Sequence, residues 1–343
     1  MQETEISTLG EFGLIERLTK GFEPKNDSTC LGVGDDCAVI KYHNDKCTLV
    51  TTDLLLEGIH FDLTYVPLTH LGYKAVVVNV SDVVAMNGIP RQITVSLGIS
   101  KRFTLEHIEQ LYAGIRQACV DYGIDLVGGD TSASVTGLII SITCTGEARN
   151  EDIVYRSGAR DTDLICVSGD LGAAYMGLQL LERERAASAG IKDFQPDFAG
   201  REYLLQRQLK PEARVDVLEE MRQLNLRPTA MMDVSDGLSS ELLHICKASG
   251  VGCRVYEDRI PIDYQTASMA EELNMNLVTA AMNGGEDYEL LFTVPLTDHE
   301  KVQQMKTARM IGYITKPDLG AYMITRDDAE IEIRAQGWNA FTE

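Results

Sequence analysis

Tyr73-Lys74-Ala75-Val76-Val77-Val78-Asn79-Val80-Ser81-Asp82-Val83-Val84-Ala85-Met86-Asn87-Gly88 is almost wholly apolar, with a carboxylate, Asp82, near its middle. A run of valines suits a buried strand as well as a helix. Its length, the Thr69 start and the Gly88 stop favour a helix over 69–87. An ionised carboxylate in such surroundings costs roughly several kcal/mol unless something positive meets it. No Lys or Arg lies within a helical turn: Lys74 is two turns away, and Arg91 lies beyond Gly88. Either Asp82 faces water, or it finds a cation from elsewhere in the fold. The second is preferred, because other acidic groups also sit at the ends of apolar runs: Asp35-Asp36, Asp53, Asp130, Asp233 and Asp236. They are expected to converge on metal ions and a polyphosphate.

The chain has 343 residues, which favours two domains. An apolar content of 44% with 24% charged residues is that of a globular protein. A net charge of −21 argues against unaided binding to nucleic acid or anionic membranes, and requires a phosphorylated ligand to arrive with cations. No apolar run reaches the length of a spanning helix, and no charged-then-apolar leader opens the chain. Eight cysteines show no C-x-x-C pair and mostly lie in apolar segments, so they read as reduced core residues of a cytoplasmic protein.

A helix ending at Gly21 and a loop over 22–31 lead to Gly32-Val33-Gly34-Asp35-Asp36 and strand Cys37–Ile40. On its own, Gly34-Asp35-Asp36 reads equally well as a hairpin turn. Strand Thr48–Asp53 ends in hydroxyls and a carboxylate. After the 69–87 helix come strand Gln92–Ser100, an amphipathic helix Thr104–Tyr122 and strand Ile124–Val127, ending in Gly128-Gly129-Asp130-Thr131. Tyr112 shares the apolar side of that helix and is by default core packing. Strand Gly137–Gly146 alternates poorly and is expected to be covered on both faces.

A composition shift near Arg149-Asn150-Glu151-Asp152 divides the chain into 1–149 and 150–343. Beyond it, strands and helices alternate: strand Leu164–Ser168, a helix to about Leu181, and a charged, irregular surface insertion over 182–202 after its helical start. A helix over 212–224, strand Thr229–Met232, Asp233-Val234-Ser235-Asp236-Gly237 and a helix from Leu238 follow. Strand 251–256, helix 265–274, Gly284-Gly285-Glu286-Asp287 and strand Tyr288–Val294 complete the second core, with a helix and two strands in the tail.

There is no G-x-x-x-x-G-K-[ST], no dinucleotide fingerprint and no H-E-x-x-H. What remains is Asp with Ser/Thr at strand ends beside glycines, hard oxygen donors that suit Mg2+ bridging carboxylates to phosphates. Nothing clusters thiolates or imidazoles as zinc or copper would need. Asp236, followed by Gly237, could instead cap the next helix. His60, alone after an apolar run, could simply be packed.

Taken in order, Gly32-Val33-Gly34-Asp35-Asp36, Thr51-Thr52-Asp53 with His60, Asn79-Val80-Ser81-Asp82, Gly128-Gly129-Asp130-Thr131, Asp233-Val234-Ser235-Asp236-Gly237 and Gly284-Gly285-Glu286-Asp287-Tyr288-Glu289-Leu290 resemble the thiamine-monophosphate kinase family. The resemblance runs from about residue 9 to the C-terminus. It implies an α/β, two-domain fold like that of aminoimidazole ribonucleotide synthetase. In that fold the N-terminal sheet forms a barrel across a homodimer, and the C-terminal domain is α/β. It further implies an ATP-dependent enzyme that phosphorylates thiamine phosphate to thiamine diphosphate by direct in-line transfer, with several Mg2+ ions as cofactors. Asp35, Thr51, Thr52, Asp53, Asp82, Asp130, Asp233 and Asp236 fall at the family's Mg2+ positions. Tyr112, Gly129, Asp130, Arg156 and Ser235 match its nucleotide positions. His60 and Glu286 match its thiamine phosphate positions, and Trp338 falls where the family has a C-terminal aromatic. The 182–202 insertion carries no implied role, and whether Asp36 coordinates stays open. Two other readings stand beside this one: another ATP-dependent member of the superfamily, and a non-enzymic acidic cation binder.

Overall fold

The computed structural model describes residues 10–42, 45–191 and 195–336. The first half contains α1 (Gly10–Thr19), β1 (Thr29–Leu31), β2 (Ala38–Lys41), β3 (Lys46–Leu56), α2 (Leu68–Ala85), β4 (Ile89–Ile99), α3 (Leu105–Tyr122), β5 (Asp125–Ala133) and β6 (Ile139–Arg149). Its strands form one sheet in the order β1-β2-β3-β6-β4-β5, antiparallel except for the β4–β5 pair. This sheet is open, with β1 and β5 at its edges.

The valine-rich stretch is a helix. Residues 71–81 and 83–85 of α2 are all buried, because α2 packs against α3 on one side and the sheet on the other, and reaches the second half of the chain as well. Two glycines set its approach to α3. A Cβ on Gly72 would lie 2.0 Å from Leu111 O, and one on Gly114 would lie 1.8 Å from Thr69 O. Only hydrogen at both positions lets the two backbones touch.

Three expectations differ from what is seen. Strand β6 alternates strictly, with Ile140, Ile142, Cys144, Gly146 and Ala148 buried and the residues between them half-buried, so it is covered on one face. Strand β5 does not stop at Gly128-Gly129 but runs through them to Ala133, with every residue exposed, Leu126 and Val127 included. Residues 29–31, read as loop, form edge strand β1.

The second half contains β7 (Leu164–Ser168), α4 (Ala173–Ser188), α5 (Glu202–Leu209), α6 (Val215–Gln223), β8 (Ala230–Asp233), α7 (Leu238–Ser249), β9 (Gly252–Tyr256), α8 (Tyr264–Glu272), α9 (Leu277–Asn283), β10 (Leu290–Val294), α10 (His299–Gln304), β11 (Ala308–Thr315), β12 (Ala321–Ile324) and β13 (Glu330–Glu332). Its sheet has the order β13-β12-β9-β11-β7-β10-β8. Helix α4 continues to Ser188, so the start of the charged 182–202 stretch is regular helix.

Strands β7, β8 and β10 are buried along their whole length, and their alternate residues serve two cores. Cys166, Met231 and Phe292 join the cluster built on α2, whereas Ile165, Val167, Met232 and Leu291 join the cluster under α7. Thus α2 lies between the two sheets, and its buried face belongs to a core that both halves share. Among the described residues no helix is long and apolar enough to cross a membrane.

Candidate active site

A cleft of about 730 Å³ opens where the C-terminal half of α2 meets the end of β8. The pleat of β3 aims Thr51 and Asp53 to the same side, and α2 presents Ser81 and Asp82 beside them. Strand β8 ends in Asp233, which faces α2 across the seam. Carboxylate oxygens of Asp36, Asp82 and Asp233 lie within 4.8 Å of one another. Thr51 Oγ1 donates to Asp82 Oδ2 at 2.5 Å, and Ser81 Oγ donates to Asp233 Oδ2 at 2.5 Å.

Cationic support at this point is thin. Arg156 Nη2 lies 2.6 Å from Asp36 Oδ1, and the Arg156 backbone N–H donates to both oxygens of Asp35. No described Lys or Arg is salt-bridged to Asp53, Asp82, Asp233 or Asp236 among the pairs in the fold. The consequence is visible in proton affinity. Burial, and then the charge of Asp36, push Asp35 up to about 6 and Asp233 up to about 7. Burial, and then Glu11 on α1, push Asp53 and Asp236 up to about 6. Asp82 is raised well above the usual carboxylate range by burial and by Asp53, Asp233 and Asp36. Asp36 Oδ2 and Asp53 Oδ2 are buried and accept no hydrogen bond from a described residue. Clustered, desolvated carboxylates with unused oxygen lone pairs fit a hard divalent cation such as Mg2+.

The turn after β8 is fixed from below. Glu241 Oε1 accepts the backbone N–H groups of Ser235 at 3.0 Å and Asp236 at 2.8 Å. The N-cap of α7 is Gly237, so Asp236 is not the cap and its side chain borders the cleft. At the other end of the cleft, His60 Nδ1 accepts the Leu56 N–H at 3.0 Å, and burial lowers the imidazole's proton affinity. Glu286, at φ 67°, pairs with Lys74 Nζ at 2.7 Å.

Asp35, Thr51, Thr52, Asp53, His60, Asp82, Arg156, Asp233, Ser235, Asp236 and Glu286 therefore all border one cleft. Thr52 does so from the opposite face of β3, where its hydroxyl donates to Ile142 O. The structure does not bring Gly129, Asp130 or Tyr112 to this cleft. The first two lie on exposed β5, and Tyr112 packs half-buried against the α2 core. Trp338 lies outside the described residues. Ser81 and Glu241 were not among the expected site residues, and Asp36, expected in the cluster with its coordination left open, now meets Asp82 and Asp233 there. Nothing in the sequence links Glu241 to the turn it holds.

Residues 34–148 match the family model described as AIR synthase related protein, N-terminal domain, and residues 163–321 match its C-terminal counterpart. A thiamine-monophosphate kinase of Aquifex aeolicus is 37% identical over 84% of this chain and 87% of its own length. One from Bacillus subtilis is 32% identical over 97% of this chain and 100% of its own. The solved structure of AaThiL complexed with AMPPCP and TMP superposes with a TM-score of 0.84 at 34% identity, covering 99% of both chains. With this identity over nearly its whole length and the acidic cleft in place, the chain belongs to the thiamine-monophosphate kinase family.

Proposed function

We propose that the chain transfers the terminal phosphoryl group of ATP to thiamine phosphate, giving thiamine diphosphate, by direct in-line displacement without a phosphoenzyme. The observation that carries this reading is the meeting of Asp36, Asp82 and Asp233 in a cleft that also holds Asp35, Asp53 and Asp236. The relative complexed with AMPPCP and TMP supports the choice of substrates. Asp35, Asp53, Asp82, Asp233 and Asp236, with the hydroxyls of Thr51 and Thr52, would hold Mg2+, whereas Asp130, on β5 outside the cleft, would join them only through the two-copy assembly. Held there, such ions would supply the positive charge that offsets the polyphosphate and the acceptor phosphate.

The remaining work belongs to the chain's own groups. The acceptor is itself a phosphate, largely ionised near neutral pH, so no strong base is needed. His60 fits that picture: its Nδ1 is occupied by a backbone N–H and burial lowers its proton affinity. Arg156 holds Asp35 and Asp36 in place and carries a permanent charge to the nucleotide end of the cleft. Ser235 sits on the Glu241-braced turn, so its position does not depend on the ligand.

A second copy of the chain completes the assembly in this reading. The exposed β5 presents an unpaired edge with Leu126 and Val127 uncovered, which a partner's sheet would cover while closing a barrel. Pairing there would carry Tyr112, Gly129 and Asp130 toward nucleotide. On this view 1–149 bind ATP and dimerise, while 150–343 form the second α/β domain. The eight cysteines are all free, which supports a reducing cytoplasm. The deciding assay is ATP- and Mg2+-dependent formation of thiamine diphosphate, with unphosphorylated thiamine as the control acceptor. Product from thiamine phosphate alone supports the reading, and no product from either overturns it.

A further inference from the structure

Behind the His60–Glu286 end of the cleft, Lys74, Glu286 and Gln208 close a ring through two side-chain contacts and one backbone oxygen. Lys74 sits in the middle of apolar α2, 4% exposed. Its ammonium lies 2.7 Å from Glu286 Oε1 and donates to the backbone oxygen of Gln208 at 3.2 Å. Gln208, on α5, donates through Nε2 to Glu286 Oε2 at 2.7 Å. Both oxygens of Glu286 are therefore held, one by each partner. Helix α5 comes this close because Gly177 on α4 leaves room for it: a Cβ there would lie 2.2 Å from Leu204 O and 2.9 Å from Gln208 Cβ.

This ring settles which way the Gln208 amide faces. Turned over, its oxygen would press on a carboxylate oxygen, and neither has a proton to share. Gln208 Oε1 must then be the free end. It is buried in a residue only 6% exposed, it accepts no hydrogen bond from a described residue, and Gln208 borders the cleft. A buried amide oxygen left without a donor is costly, and of the buried unpartnered amide oxygens among the described residues Gln208 Oε1 alone belongs to a residue bordering the cleft, where a ligand N–H or O–H would satisfy it. A phosphate without a proton cannot supply that donor, so the oxygen selects for the base end of a ligand.

We propose that Gln208 Oε1 recognises the acceptor by taking a hydrogen bond from an exocyclic amino group on its heteroaromatic ring, with Lys74 and Glu286 as the positioning residues that lock the amide. The proposal rests on thiamine phosphate being the acceptor, whose pyrimidine carries such an amino group. It assigns Gln208 to the acceptor rather than to the adenine amino group of ATP, because the amide is tied to Glu286 and not to the Arg156 end.

The test compares thiamine phosphate with the analogue in which oxygen replaces the pyrimidine amino group. Wild-type protein should prefer the amino compound at least about tenfold in kcat/KM, because the analogue leaves Gln208 Oε1 facing another oxygen. Gln208→Met, close in shape, should reduce that preference to within about twofold, with the KM for ATP unchanged. Lys74→Met, which removes the ammonium without leaving a hole, should weaken the preference through the freed amide, and serves as the second variant should Gln208→Met not fold. Calorimetric binding of the two acceptors with Mg2+ and no nucleotide should follow the same order. The proposal is overturned by an undiminished preference in either variant, by a rise in the KM for ATP instead, or by no preference in the wild type. Phosphorylation of thiamine phosphate by a wild type that shows no preference would remove this inference and leave the proposed reaction standing.

Discussion

Two clusters of buried charge lie within this fold, and they are completed in opposite ways. In the second half, Glu289, 0% exposed, is met by Arg207 Nη1 at 2.6 Å, by Arg214 Nη1, and by Ser168 Oγ at 2.5 Å. Its neighbour Asp287 accepts the Gly172 and Ala174 backbone N–H groups at the start of α4, and Asp170 is met by Tyr203 OH at 2.5 Å. Two guanidiniums, Arg207 and Arg214, and several dipoles answer Glu289 and Asp287, so protein cations balance the cluster, although Asp170 Oδ1 is itself buried without a described donor. In the cleft, Arg156 pairs with Asp35 and Asp36, and no described Lys or Arg is salt-bridged to Asp53, Asp82, Asp233 or Asp236. The contrast teaches that burial of acids does not by itself mark a ligand site. The missing counter-charge does.

The largest expected effect tests the self-sufficient cluster. Glu289→Gln leaves Arg207 and Arg214 without their carboxylate and should cost about 3–5 kcal/mol of stability, seen as a fall of roughly 10 °C in Tm. An unchanged Tm would break the comparison, because this cluster would then not be structural. The next effect is on the cleft. Asp82→Asn should lower kcat by about 10²–10³-fold, while Tm in EDTA stays level or rises, since a charge that no protein group neutralises has been removed. Full activity in Asp82→Asn would take that residue out of the cation site.

The smallest effect sharpens the contrast through pH. The cleft carboxylates have folded-state proton affinities raised above their unfolded value of 3.8, to about 6 for Asp35, Asp53 and Asp236 and to about 7 for Asp233. Between those limits the folded protein holds more protons than the unfolded chain, so metal-free stability falls as pH rises. In EDTA, Tm should therefore be a few degrees lower at pH 8 than at pH 5. Saturating Mg2+ should remove or reverse that slope, because it binds the ionised carboxylates. Parallel slopes with and without Mg2+ would show that the cleft does not take the ion.

How much of this was legible depends on the range of the interactions. The α2 helix could be read from its own residues, because start, stop and length are local signals. The cleft aspartates were legible one at a time, as charges at the ends of apolar runs. Their mutual arrangement was not: the Ser81–Asp233 bond spans 152 positions, and no local pattern announces it. Short helices α5 and α9 were missed because two turns give too little periodicity to see, and with α5 went Gln208. Gly128-Gly129 reads as a turn by propensity, yet pairing with β4 holds it in a strand. Tertiary context there outweighs local preference.

Helix α2 also serves as a length gauge. In the proposed reading, Lys74 would secure the base end of the cleft, with Ser81 and Asp82 at the phosphate end. Asp82 lies eight helical steps beyond Lys74, about 12 Å along the axis. That spacing does not stretch, since α2 is clamped between α3, the first sheet and β8. In that reading an acceptor would be measured against a rigid rod, and one longer or shorter by a bond would not satisfy both ends together. Inserting a single residue between Val76 and Val80 would turn Asp82 by about 100° relative to Lys74. The two ends of the cleft would then no longer face the same ligand.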